Sequence, residues 1–141
     1  MATDVEIMFV EYAGAWLSYD VEKITSFFTE DGVLEDVPLG SVNRGKQEIT
    51  AFISATFTAW PDFKLEPTSF FFSGDWAASE WIMTGTHDGD FAGMPATGKK
   101  FSVRGASLFE LKGAKLKRET LYYDMVSFLR QVGLMPEDPS G

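Results

Sequence analysis

One change of period limits what this chain can become. Up to Trp60 the apolar residues recur every three or four positions, and beyond Pro61 they alternate. The first rhythm buries one stripe of a helix and the second buries one face of a strand. Thr3 and Glu6 fit a capping box, and Val5, Met8, Phe9, Tyr12, Ala13, Trp16 and Leu17 then mark a helix over 4–18. Asp20 caps a second helix bearing Val21, Ile24, Phe27 and Phe28, which Gly32 closes. A short strand over 33–37 ends at Pro38 and Gly40. A third helix runs from near Gly45 to Trp60, where Pro61 cannot extend it.

The second half predicts strands over 62–72 and 76–87, joined by Ser73-Gly74-Asp75. A further hairpin joins 101–111 to 115–126 around Lys112-Gly113-Ala114. Asp88 to Lys99, broken by Gly89, Gly93, Pro95 and Gly98, reads as a loop, and 128–134 as a short amphipathic tail. Helices first and long antiparallel strands afterwards imply an α+β fold. The expectation is a strongly curved antiparallel sheet packed on three N-terminal helices, with a conical cavity between them. At 141 residues this is one domain, 1–141, with 137–141 expected to be a disordered tail.

Composition narrows the chemistry. There is no cysteine, which removes disulfides and thiolate sites, and a single histidine, His87, which removes a multi-histidine zinc site. A net charge of −9 opposes phosphate backbones and anionic membranes, so neither nucleic acid nor membrane is expected as a partner. No apolar run approaches the roughly 18 residues that span a bilayer, and the N-terminus is acidic where a signal peptide would be basic. That reading is of a soluble, cytoplasmic protein. The 13 Phe, 4 Trp and 4 Tyr fill a bulky core or line a cavity for a flat apolar ligand. GxSxG, P-loop and GxGxxG patterns are missing, and a metal would have carboxylates alone. Acid–base chemistry with no cofactor and no metal is the simplest proposal left.

Two aspartates are the catalytic candidates. Counted forward from Lys115, the last strand puts Lys115, Lys117 and Glu119 on a solvated face and Leu116, Arg118, Thr120, Tyr122 and Asp124 on the other. Leu121, Tyr123 and Met125 make the outer face apolar too, so Asp124 is expected in a dry hollow where its carboxyl would exchange protons near neutrality. The alternative is a strand-end aspartate capping the turn before 125–132. Asp36 shares a short strand with Glu35, and only one of that pair can enter a cavity. Candidates for binding substrate are Tyr12, as a donor to an enolate oxygen, His87 at the cavity rim, Arg104 and Glu80 in mid-strand, Tyr122, and Trp60. Arg104 could pair with Asp124 or Glu80 or bind a substrate carboxylate, a structural ion pair fits it equally well, and Glu80 poses the same open question.

The stretch Gly85-Thr86-His87-Asp88-Gly89-Asp90-Phe91-Ala92-Gly93-Met94-Pro95-Ala96-Thr97-Gly98-Lys99 resembles the GTH-x-G-x-F-x-G-x-P-x-TGK segment of SnoaL-like polyketide cyclases. Tyr122-Tyr123-Asp124 and Phe128 to Pro136 are similar to that family's closing strand and tail. The resemblance implies a nuclear transport factor 2-like cone, a homodimer formed through the outer sheet face, and an intramolecular aldol ring closure with Asp124 as acid/base. A more distant likeness, Phe28 to Gly40, is to ketosteroid isomerases, and it places their proton-shuttling base on Asp36 and their oxyanion tyrosine on Tyr12. Their partner acid has no counterpart near Gly105-Ala106-Ser107. Limonene epoxide hydrolases share the fold, and Arg104 with Asp124 would imitate part of their Asp-Arg-Asp set. The expected function is a cofactor-independent cyclase or isomerase acting on a hydrophobic carbonyl compound. The alternatives are a non-catalytic ligand-binding or dimerisation module and an epoxide hydrolase.

Overall fold

The computed structural model describes residues 1–136, so the expected tail at 137–141 lies outside the described residues. Helix α1 (Asp4–Leu17) starts where Thr3 accepts a hydrogen bond from the Glu6 N–H. It buries the stripe Met8, Phe9, Tyr12, Ala15 and Trp16. Asp20 caps α2 (Val21–Ser26) through the Lys23 N–H. This helix is shorter than its apolar spacing suggests: Phe27 and Phe28 leave it, and β1 (Phe28–Asp36) begins at once. Strand β2 (Ser41–Arg44), which has no alternating pattern long enough to announce it, folds back antiparallel on the end of β1. Helix α3 (Gly45–Ala59) buries Ile49, Ile53, Thr56 and Ala59, and it stops one residue before Trp60.

Four long strands follow: β3 (Lys64–Ser73), β4 (Trp76–Thr86), β5 (Lys100–Lys112) and β6 (Lys115–Tyr123). They form an antiparallel meander that β6 joins to β1 in parallel, giving one sheet in the order β2-β1-β6-β5-β4-β3. Helix α4 (Met125–Gln131) closes the described chain. The alternation expected for 76–87 holds, with Ala77, Ser79, Trp81 and Met83 buried. Register shifts within Phe28–Val33, Pro67–Ser69 and Glu110–Leu111 bend the sheet around the helices, as bulges do. Ile24, Leu34, Ile49, Ile53, Leu116 and Phe128 are fully buried between the two layers.

One of those shifts decides what enters the cavity. Glu110 pairs with Arg118 but Leu111 pairs with Leu116, so Lys117 is an extra residue in β6. An extra residue flips the alternation beyond it. Leu116 and Glu119 therefore both point inward, while Arg118 turns outward to pair with Glu35. In the 88–99 loop the Asp88 and Gly89 N–H groups donate to the Ala59 carbonyl. A Cβ on Gly89 would lie 2.4 Å from the Thr58 oxygen, so only glycine lets the loop dock on the end of α3. No helix among the described residues is long and apolar enough to cross a membrane.

Candidate active site

The sheet, α1 and α3 enclose an aromatic cavity with an empty volume of about 720 Å³ counted out to its mouth. Phe9, Trp16, Trp60, Phe63, Trp81 and Phe109 are large aromatic residues of its inner wall. A second hollow, lined by Leu39, Ser41 and Asp90, shares Phe52, Thr56 and Phe91 with the first. Phe91 stacks on Trp60 at 4.3 Å between ring centres, held out by the tight 91–94 hairpin. Among the described residues no lysine, arginine or histidine lines either hollow.

Two carboxyl groups interrupt this apolar wall. Asp36, the last residue of β1, is buried; its Oδ1 accepts from the Leu39 N–H at 3.1 Å and its Oδ2 from the Tyr123 hydroxyl at 3.0 Å. Burial pushes its pKa from 3.8 up to about 6, against the pull of those two donors. The Tyr123 hydroxyl is pushed up in turn, by burial first and then by the Asp36 charge. Glu119 is the second. Tyr12 donates to its Oε1 at 2.5 Å and Ser107 to its Oε2 at 2.8 Å, while the Trp81 indole N–H donates to the Ser107 oxygen at 2.9 Å. Burial raises Glu119 from 4.5 to about 7, with Tyr12 and Ser107 opposing. The Tyr12 hydroxyl is raised as well, chiefly by burial and by the Glu119 charge. In the parallel β1–β6 pairing Leu34 stands opposite Glu119 and Asp36 opposite Leu121. The two acids therefore stand on neighbouring inward positions, roughly 8 Å apart by strand geometry.

The structure brings Asp36, Tyr12 and Trp60 to the cavity and places the other sequence candidates elsewhere. Asp124 is exposed, and its Oδ1 accepts from the Ser127 N–H as the N-cap of α4. The dry hollow expected for it belongs to Glu119, because the Lys117 bulge reverses the strand face on which Asp124 was counted. Tyr122 is likewise 48% exposed on the outer face. Arg104 and Glu80 pair with each other at 3.9 Å on that face, so Arg104 and Asp124 build no inward Asp-Arg-Asp set. His87 is buried, but away from the cavity wall, with Nδ1 on Thr97 Oγ1 at 3.2 Å and its ring against Phe128. Sequence reasoning missed Glu119 and Ser107. The signal for Glu119 is its parity with Leu121 and Tyr123, visible when the strand is counted back from its end. Among the described residues no group of three or more His, Asp or Glu side chains could hold a metal.

The family model of the SnoaL-like polyketide cyclases matches residues 7–132, nearly the whole chain. The chain belongs to the SnoaL-like polyketide cyclase family. A relative, the aklanonic acid methyl ester cyclase DnrD of Streptomyces peucetius, is 30% identical over 77 residues, covering 55% of this chain and 53% of that protein. The chain thus spans about half the length of the curated relatives it matches. Two solved structures share the fold. TsrD from Streptomyces laurentii superposes with a TM-score of 0.82 at 21% identity, covering 94% of this chain and 96% of that one. A protein from Catenulispora acidiphila with a ketosteroid isomerase-like fold gives 0.81 at 23% identity, covering 91% and 93%. The nuclear transport factor 2-like expectation for this SnoaL-like chain is thereby met at the level of fold.

Proposed function

We propose that the cavity closes a ring in a neutral, flat, carbonyl-bearing molecule of the polyketide type by proton transfer alone. The observation that carries this reading is the pair Asp36 and Glu119, two dry carboxyl groups in one aromatic cavity, each gripped by donors. With a pKa of about 6, Asp36 is ionised at neutral pH and removes a proton α to a carbonyl. The carbanion attacks a second carbonyl of the same molecule, forming the new C–C bond. That carbonyl oxygen takes up the proton offered from the Tyr12–Glu119 pair, so the product is an isomer of the substrate. With a pKa of about 7, Glu119 is still partly protonated where Asp36 is already ionised, the division of labour that acid and base require.

A wall without cations favours an uncharged ester over a free carboxylate, since no group there would offset the lost solvation of a second anion. The DnrD relative is named for a methyl ester, which supports the same choice. The exposed Phe71, Trp76, Leu108 and Tyr122 of the outer sheet face would pack against a second copy in a homodimer. The test is incubation with aklanonic acid methyl ester, read by chromatography and mass spectrometry for an isomer of unchanged mass. Asp36→Asn should slow its formation by about 10²–10⁴-fold. Turnover unchanged in Asp36→Asn would overturn the assignment.

A further inference from the structure

Glu119 is held by a chain of donors that runs one way. An indole N–H can only donate, so Trp81 fixes the Ser107 oxygen as its acceptor. The Ser107 hydroxyl hydrogen then has Glu119 Oε2 as its hydrogen-bond acceptor. Trp81 keeps this place because Gly105 stands directly opposite it in the β4–β5 register. A Cβ on Gly105 would lie 2.4 Å from the indole ring.

The consequence concerns where Glu119 carries its proton. On Oε2 that proton would face the Ser107 hydroxyl hydrogen and leave one of the two without an acceptor in a buried site. On Oε1 it faces the Tyr12 oxygen, which can accept it. Tyr12 must then turn its own hydrogen elsewhere, and its ring lies on the cavity wall. We propose that Trp81 and Ser107 are positioning residues of a proton relay, directing the Glu119 proton to Oε1 so that Tyr12 donates its hydrogen to a carbonyl oxygen of the bound substrate. This rests on the ring-closure reading and specifies its acid. In the step, the Tyr12 proton goes to the new alkoxide and the Glu119 proton replaces it on Tyr12. Asp36 retains the proton taken from carbon until the product leaves, when exchange through water restores both carboxyls.

The ligand-free chain is sufficient for the test. The intact protein, labelled with ¹⁵N at indole nitrogens and ¹³C at carboxyl and tyrosine Cζ carbons, is titrated by NMR from pH 5 to pH 9. Asp36 and Tyr123, the other titratable groups on the cavity wall, are followed in the same spectra. The Trp81 indole N–H and the Tyr12 Cζ should both shift with the midpoint of the Glu119 carboxyl. In Ser107→Ala the Glu119 midpoint should rise, because a donor to the carboxylate is lost, and the indole signal should stop following it. In Trp81→Phe, which keeps an aromatic ring, the Tyr12 response should lose most of its amplitude. An indole signal that stays still while Glu119 titrates, or follows it undiminished in Ser107→Ala, overturns the relay. Turnover plays no part in these readings. Coupled titration without ring closure refutes the proposed reaction, and ring closure with a stationary indole refutes the relay alone.

Discussion

Replacing Glu119 with glutamine should make the protein more stable in alkali, against the usual outcome of altering a buried, hydrogen-bonded side chain. The folded state holds the Glu119 pKa at about 7 against 4.5 for an ordinary glutamate. Between those values the native protein keeps a proton that the unfolded chain has released. Stability therefore falls as pH rises through that window, and the full contribution is present only below it. At 1.36 kcal/mol per pH unit the loss is about 3 kcal/mol by pH 8. A glutamine at 119 copies the neutral acid: its amide oxygen accepts from Ser107 and its NH₂ donates to the Tyr12 oxygen, so both contacts persist. Urea unfolding at a series of pH values should show the two proteins nearly equal near pH 4.5. Glu119→Gln should lead by up to about 3 kcal/mol at pH 8. Taking the difference between the two cancels every other titrating group, including Asp36. A difference that stays flat with pH, or grows toward acid, would refute the burial of this carboxyl as an energetic fact.

Asp36 should act in the same direction over its own window, so Asp36→Asn should gain on the parent as pH rises from 3.8 to about 6 and keep that lead at higher pH, while losing turnover. Asp124→Ala should cost about 1 kcal/mol in thermal unfolding through loss of the α4 cap and leave ring closure intact. Gly105→Ala should be more damaging than its size suggests, about 1–3 kcal/mol, because the added methyl meets the Trp81 ring. Phe91→Ala should open the wall shared by the two hollows and cost about 3 kcal/mol through the lost stack on Trp60, measured by thermal unfolding.

The architecture was legible because its signals are local and repeated. Thr3 caps α1, Pro61 follows the end of α3, and Ala77-Ser79-Trp81-Met83 alternate in β4 without interruption. Strand β2 was hidden, since four residues of mixed polarity acquire strand geometry only by pairing with β1. The site was half legible. Asp36 and Tyr12 were found because the pattern around each is undisturbed, the first ending a strand before Pro38 and the second lying on the α1 stripe. Plain alternation from Lys115 puts Glu119 in solvent because it runs across the extra residue, Lys117. A bulge is a tertiary choice made by the pairing of β6 with β5, and a single unbroken alternation gives no sign of it. Asp124 inherited the wrong face from the same slip, although its other reading, a cap before residues 125–132, describes what its carboxylate does.

Everything chemical here depends on two carboxyl groups being withheld from water inside one cavity. Carboxyl ¹³C titration of the intact protein, assigned by Asp36→Asn and Glu119→Gln, measures that directly. Midpoints of about 6 for Asp36 and about 7 for Glu119 are expected. Midpoints of about 4 for both would mean that water reaches them, and would contradict the account.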